Sequence, residues 1–273
     1  MPPETSHNID DYNSFLLALQ DTLGVVVPDE QRHNLIERIK PLLTVYKCDS
    51  LTALADSLKI GKSENIRSVV LDVVSQTQLS WHMSAEIRDV LNNYIFAQLP
   101  ENARVWIVGC GQGQFAYAVG MELADYEYKN DKVKNAQFIA TDLSTIDIKV
   151  AESGIYNKQQ MMGLSEERKK LFMTTSDDAN EAQVKQKIRQ QFNFSKCDLT
   201  GDFQSLGQMD LIICPQTLVY FSNGAKAAIV QQCSDLLKSG GILLTGNNQV
   251  LLPILDDLER VDHSTGVFYR QRN

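Results

Sequence analysis

Basic residues never gather in this sequence. Its 26 lysines and arginines are dispersed among 34 aspartates and glutamates, for a net charge of -8, and no block is dense enough to neutralise a run of phosphates. Nucleic acid is therefore not expected as a partner. Paired cysteines are also missing: Cys48, Cys110, Cys197, Cys214 and Cys233 show no CxxC spacing, and most lie in apolar runs where a thiol behaves as a small hydrophobe. A reducing compartment is the expectation. No apolar stretch is long enough to cross a bilayer, and MPPETSHNIDDYNSF lacks the basic start and apolar run of a secretory leader. The chain is thus expected to be soluble, cytoplasmic and not membrane-inserted. Histidine is scarce, and His7, His33, His82 and His263 stand at no metal-ligand spacing, so no metal site is expected.

What is present is ample material for a core, with 43% hydrophobic residues in 273, enough for one large or two modest domains. Up to about residue 98 the pattern is helical. Apolar residues recur at intervals of three and four in DDYNSFLLALQDTLG, ENIRSVVLDVV and SAEIRDVLNNYIFAQL, with Asp10 or Asp11, Ser50, Ser63 and Ser84 placed as N-caps. The proline-containing LPENA, residues 99–103, then precedes the first strong strand signal. A helical domain over 1–98 and a second domain over 99–273 are expected.

From residue 104 the runs VWIVG, QFIATD, MDLIIC and GILLTG alternate with helical stretches such as NGAKAAIVQQCSDLLKSGG, whose last turn is expected to contain Lys238. Continuous apolar strands covered by helices on both faces imply an α/β fold with a mainly parallel sheet. VFYRQ is expected as an edge strand, ESGIYNKQQMMGLSEERKK as a surface helix with its cap, and residues 174–194 carry helical and strand signals at once.

Three glycines, Gly109, Gly111 and Gly113, follow the first of these strands, and Asp142 ends the second. Glycines there permit a tight turn and close approach of a ligand to the backbone and the next helix, while the acid can accept both hydroxyls of a ribose. An adenosine-containing cofactor is implied. A dinucleotide site would show GxGxxG with an acid about 20 residues on, whereas GCGQGQ is followed by Asp142 at 29 residues from Gly113. GxGxG before an acid-ending strand is more typical of S-adenosylmethionine enzymes.

The segments ATDLSTIDIKVAESGIYNKQQMMGLSEERKKLFM, FSKCDLTGDF and MDLIICPQTLVYFSNGAKAAIVQQCSDLLKSGGILLTGNNQVL resemble, in order and spacing, the CheR-type chemotaxis receptor glutamate O-methyltransferases. The tail LERVDHSTGVFYRQ looks closest to the branch of that family serving type IV pilus chemosensory systems. The resemblance implies a Rossmann-like methyltransferase domain preceded by a small all-helical one, S-adenosylmethionine as cofactor and a methyl-accepting chemoreceptor as partner. It implies that Gly109, Gly111, Gly113 and Gln114 lie at the cofactor, that Asp142 holds its ribose, and that Asp198 and Leu199 line the adenine. Cys214 and Pro215 would sit beside the methionine part and Tyr220 near the methyl group.

Departures from the family pattern accompany the likeness. The family's Asn-x-Thr-x-Phe-Phe-Arg element corresponds to QTQLSWHMS, with Met83 at the arginine's place; Gln114 or Phe115 replaces a glutamate, and Pro215-Gln216 replaces Arg-Asn. A lost arginine removes a bidentate carboxylate partner that methionine and neutral His82 do not reproduce. Three readings follow: a working glutamate methyltransferase in which Trp81 and His82 take over part of the positioning, a degenerate relative that binds cofactor or partners, and a nicotinamide-dependent oxidoreductase. The last is disfavoured by the glycine spacing and by the lack of a Tyr-x-x-x-Lys constellation.

Overall fold

The computed structural model describes residues 5–27, 32–61, 65–75, 81–175, 180–215, 217–245, 256–264 and 266–272. It divides into two compact units, Met1–Gln76 with Thr217–Ile229, and Thr77–Gln216 with Val230–Asn273. Composition alone places a boundary at 98/99. The compact units divide at 76/77, and within the second one Val90 and Tyr94 lie against Gly266 and Phe268.

In the first unit, α1 (Thr5–Leu23) packs on α3 (Leu51–Ile60), and α2 (Arg32–Val45) on α4 (Ile66–Ser75). Their apolar faces bury Phe15, Leu19, Leu35, Ile39, Leu54 and Val70. Ser50 caps α3 as expected, its hydroxyl accepting from the Ala53 amide. Asp10 and Asp11 do not cap α1, which begins at Thr5. Asp11 serves the other helix: its carboxylate accepts the amides of Leu51 at 3.0 Å and Thr52 at 2.7 Å and the Thr52 hydroxyl at 2.6 Å, taking up donors that a helix start leaves unpaired. Ser63 lies outside the described residues. A short ladder joins the two segments of this unit, with Val26 N–H donating to Tyr220 O and Ser222 N–H to Gly24 O.

The second unit opens with α5 (Ala85–Val90), capped by Ser84 as expected, which runs through a π-helical turn (Leu91–Ile95) into α6 (Phe96–Gln98). There follow β1 (Arg104–Val108), α7 (Gln114–Asn130), β2 (Gln137–Asp142), α8 (Thr145–Ser153), β3 (Ile155–Asn157), α9 (Glu166–Phe172), β4 (Met173–Thr175), β5 (Glu181–Val184), α10 (Gln186–Arg189), β6 (Phe192–Lys196), β7 (Met209–Cys214), α11 (Asn223–Leu236), β8 (Leu237–Thr245), β9 (Leu258–His263) and β10 (Gly266–Gln271). The division between the units falls inside α11. Seven strands form one sheet in the order β6-β2-β1-β7-β8-β10-β9, and β3-β5-β4 form a small antiparallel sheet. The first five of the seven are mutually parallel, as the apolar runs imply.

Several local expectations are corrected. β10 is not an edge strand, because β9 pairs along its outer side. Lys238 lies on β8, where its ammonium meets Asp210 at 2.8 Å, and not in the last turn of α11. The stretch 152–170 breaks at Gly154 into β3, a turn and the short exposed α9, since a left-handed glycine ends α8. Of the undecided stretch 174–194, the described residues supply β5, α10 and the edge strand β6.

The order reverses beside β1: β2 and β6 follow on one side, β7 and β8 on the other. Open parallel sheets place their ligands at this reversal, outside the C-terminal strand ends. Under the sheet, Phe192 is held between Phe138 and Phe194 in near-parallel stacks, with Tyr117 edge-on. Gly120 of α7 faces that ring so closely that a Cβ would come within 2.9 Å of it.

Two outcomes are expected from this packing. Gly120→Val forces a branched side chain into a ring that cannot swing aside and lowers unfolding free energy by about 1–3 kcal/mol, and Phe192→Leu recovers part of the loss in the double variant; urea titrations of the four proteins measure both. For Asp11, desolvation alone would raise its pKa, but the hydrogen bonds from Thr52 and Leu51 outweigh it and hold the carboxyl below 3.8. Its contribution is therefore complete above pH 4 and is lost as pH falls through the lowered folded value. Asp11→Ala should lower stability by about 1 kcal/mol at pH 7, with the difference from wild type shrinking below pH 4.

Candidate active site

Each glycine after β1 has a positive φ, 67° at Gly109, 51° at Gly111 and 91° at Gly113, conformations that side-chain-bearing residues avoid. At Gly113 space is lacking as well: a Cβ would stand 2.9 Å from Ala151 Cβ and 3.0 Å from the Tyr156 hydroxyl. The loop turns tightly because α8 and β3 press on it. Gly113 then serves as the N-cap position of the 17-residue α7, whose first amides face the loop.

Asp142 locks this turn to β2. Its Oδ2 accepts the Gly111 amide at 2.8 Å and its Oδ1 the Ser144 amide at 3.0 Å. The Ser144 hydroxyl caps α8 by accepting the Asp147 amide, and Asp147 in turn accepts from Gln112 Nε2 at 3.1 Å. The Tyr156 hydroxyl donates to Gln112 O at 2.6 Å. Burial pushes the Tyr156 phenol well above its ordinary pKa, so it remains a donor throughout the physiological range.

Gln114, the first residue of α7, is buried, and its Oε1 has no hydrogen-bond partner within the protein. An orphaned buried acceptor costs about 1–3 kcal/mol, and a ligand N–H placed here would satisfy it. S-adenosylmethionine meets both demands: its amino acid part carries an ammonium donor for Gln114 and its ribose carries two hydroxyls for Asp142. The residues present fit the group.

Gly109, Gly111, Gly113, Gln114 and Asp142 are brought together in this way. Cys214 and Pro215 follow at the end of β7, both buried and across β1 from Asp142 in strand order. Asp198 and Leu199 come just after β6, the neighbour of β2. Asp198 is exposed and folds back on Thr200, accepting its amide and hydroxyl, while Leu199 is buried. Beside them burial raises the Cys197 thiol to about 11, with Asp198 adding to the effect, and burial with Asp142 nearby raises Cys110 well above the usual thiol range. Both are neutral packing groups at pH 7.

Of the residues ahead of α5, Trp81 and Met83 are buried in the apolar cluster of the second unit, at 4% and 2% exposure, and His82 is exposed. Tyr220 is buried in the first unit, on the 3-10 turn Thr217–Tyr220. Gln216 lies outside the described residues. Gln112, Asp147 and Gln160 join the candidate site through hydrogen bonds that sequence reasoning missed. Gln160 Nε2 donates to Gln112 Oε1 at 2.9 Å, and an amide pair 48 positions apart leaves no local pattern to read.

Residues 76–267, well over half of the chain, match the family model for the CheR methyltransferase, SAM binding domain. The chain belongs to the CheR methyltransferase family. Chemotaxis protein methyltransferase 1 of Vibrio cholerae is 26% identical to it over 265 residues, covering 95% of this chain and 96% of that one. Chemotaxis protein methyltransferase 1 of Pseudomonas aeruginosa is 27% identical over 270 residues, covering 96% and 98%. A chemotaxis protein methyltransferase of Listeria innocua is 30% identical over 169 residues, 60% of this chain and 62% of that one. CheR proteins are protein-glutamate methyltransferases, and S-adenosylmethionine is the cofactor of this domain. No described helix is long and apolar enough to cross a membrane.

The loop geometry yields a direct check. Gly113→Ala combines a left-handed backbone, costing about 1–2 kcal/mol for a residue with a Cβ, with a collision against Ala151 and Tyr156. Thermal melts should fall by several degrees, and titration calorimetry should show S-adenosylhomocysteine bound at least tenfold more weakly. Unchanged values for both would contradict the packing described.

Proposed function

We propose that this CheR-family protein methylates glutamate side chains of a chemoreceptor in the cytoplasm, the receptor belonging to a chemotaxis or type IV pilus chemosensory system. The observation that carries the reading is the built cofactor cradle, with Asp142 locking the glycine turn and Gln114 Oε1 waiting for a donor. When bound, S-adenosylmethionine supplies an electrophilic methyl group. The acceptor glutamate is already ionised near neutral pH, so the chain needs no strong base. Its task is alignment and the exclusion of water.

In this reading Asp142 holds the ribose, Asp198 and Leu199 border the adenine, and Cys214 and Pro215 border the methionine part. Tyr220 and His82 are assigned to the transfer step. His82 is exposed, and an imidazole N–H can give one hydrogen bond to a carboxylate where the family arginine gives two. A weaker hold on the acceptor should appear as a high KM and a low turnover.

One observation favours a second reading, a binding module without efficient catalysis. Met83, at the arginine's place in the resemblance, is buried in the apolar cluster that also holds Trp81, Tyr156 and Met161.

Methyl transfer from labelled S-adenosylmethionine to membranes carrying candidate receptors separates the two. Activity in wild type that is lost in Tyr220→Phe and reduced in His82→Ala supports the enzyme. Cofactor binding without transfer in wild type supports the module. Met83→Arg buries an unpaired charge and should cost about 3 kcal/mol or more of stability, seen as a lowered melting temperature. An unchanged melt would mean that side chain 83 reaches solvent.

A further inference from the structure

Four residues from three separate parts of the second unit close a ring that includes the glycine loop. The Tyr156 hydroxyl donates to Gln112 O at 2.6 Å, Gln160 Nε2 to Gln112 Oε1 at 2.9 Å, and Trp81 Nε1 to Gln160 O at 2.7 Å. The Trp81 ring then meets the Tyr156 ring edge-on, with centroids 5.0 Å apart and planes at 79°, and completes the circuit. Both aromatic residues are buried.

The two amides are oriented by more than each other. Gln112 gives its Nε2 to Asp147 and accepts at Oε1 from Gln160. Gln160 accepts at Oε1 from the Asn157 amide at 3.0 Å, and its own amide donates to Asn157 Oδ1 at 2.9 Å. Turning either amide over would set donor against donor or acceptor against acceptor, so each link depends on the next. A contact needed only to fill space would be met by apolar side chains at 112 and 160. One end of the circuit is the backbone of the cofactor loop; the other is Trp81, the neighbour of His82 and Met83.

We propose that Gln112 and Gln160 are positioning residues that couple the cofactor loop to the segment 81–84, so that binding of cofactor and setting of that segment form one equilibrium. The inference rests on the assignment of 81–84 to the acceptor side in the proposed function. Whatever firms the loop firms the ring, and the ring fixes the indole through its N–H and its edge. By linkage the coupling is reciprocal: a disturbance at Trp81 weakens cofactor binding although the indole touches no loop atom through a hydrogen bond of its own.

The test uses the full chain labelled with 5-fluorotryptophan, whose two fluorine resonances, from Trp81 and Trp106, are assigned by Trp81→Phe, together with calorimetric titration by S-adenosylhomocysteine. In wild type the ligand should shift the Trp81 resonance. Gln112→Met and Gln160→Met should each weaken binding about five- to tenfold, the worth of one net hydrogen bond, and abolish the shift. Their double variant should bind within about twofold of the weaker single one. Gln160→Glu, which keeps the acceptor for Asn157 and removes the donor to Gln112, repeats the test where a methionine variant fails to fold. Multiplying losses in the double variant, singles that bind as wild type does, or an unmoved Trp81 resonance in ligand-saturated wild type each overturn the coupling while leaving the cofactor site intact. A wild type that does not bind S-adenosylhomocysteine overturns the cofactor site and the coupling together.

Discussion

One carboxylate holds the ends of two parallel strands in register with the loop between them. Asp142 ends β2, but its oxygens belong to the amides of Gly111 and Ser144, so the turn after β1 and the entry to α8 are fixed from a single point. Ser144 passes this order to Asp147, and Asp147 to Gln112. The carboxylate stands at the C-terminal sheet edge, where the strand order reverses. A group that organises the loop at this edge lets folding and preorganisation rest on the same bonds.

Much of this was legible in the residues because it is local. Apolar runs, glycine spacing and a strand-ending acid identify the parallel sheet and the cofactor loop directly, and Ser50 and Ser84 cap the helices that their positions imply. What was not legible depends on partners distant in the chain. Asp11 looks like a cap for its own helix until α3 is packed beside α1, and VFYRQ looks like an edge until β9 covers it. Gln112 and Gln160 have no periodicity or motif; only the fold brings their amides together.

The position of the family arginine shows the same contrast between pattern and environment. The resemblance puts Met83 where the family has an arginine, and the fold buries that side chain in the same apolar cluster as Trp81 while His82 is exposed. The thiols of Cys110 and Cys197 are likewise set by their surroundings, burial raising both above the ordinary range.

The first compact unit is assembled from two pieces of chain, the N-terminal helices and the segment Thr217–Ile229, joined by the pairing of residues 24–26 with 220–222. That interleaving has a consequence for heredity. A helical module encoded as one uninterrupted stretch can be gained, lost or exchanged by a single recombination event, whereas here any such event would separate Gly24 and Val26 from the carbonyl and amide they require. The two halves of this unit are therefore bound to diverge as one gene, each substitution in the early segment selected against a background more than 190 residues downstream, as the separation of Val26 from Tyr220 shows.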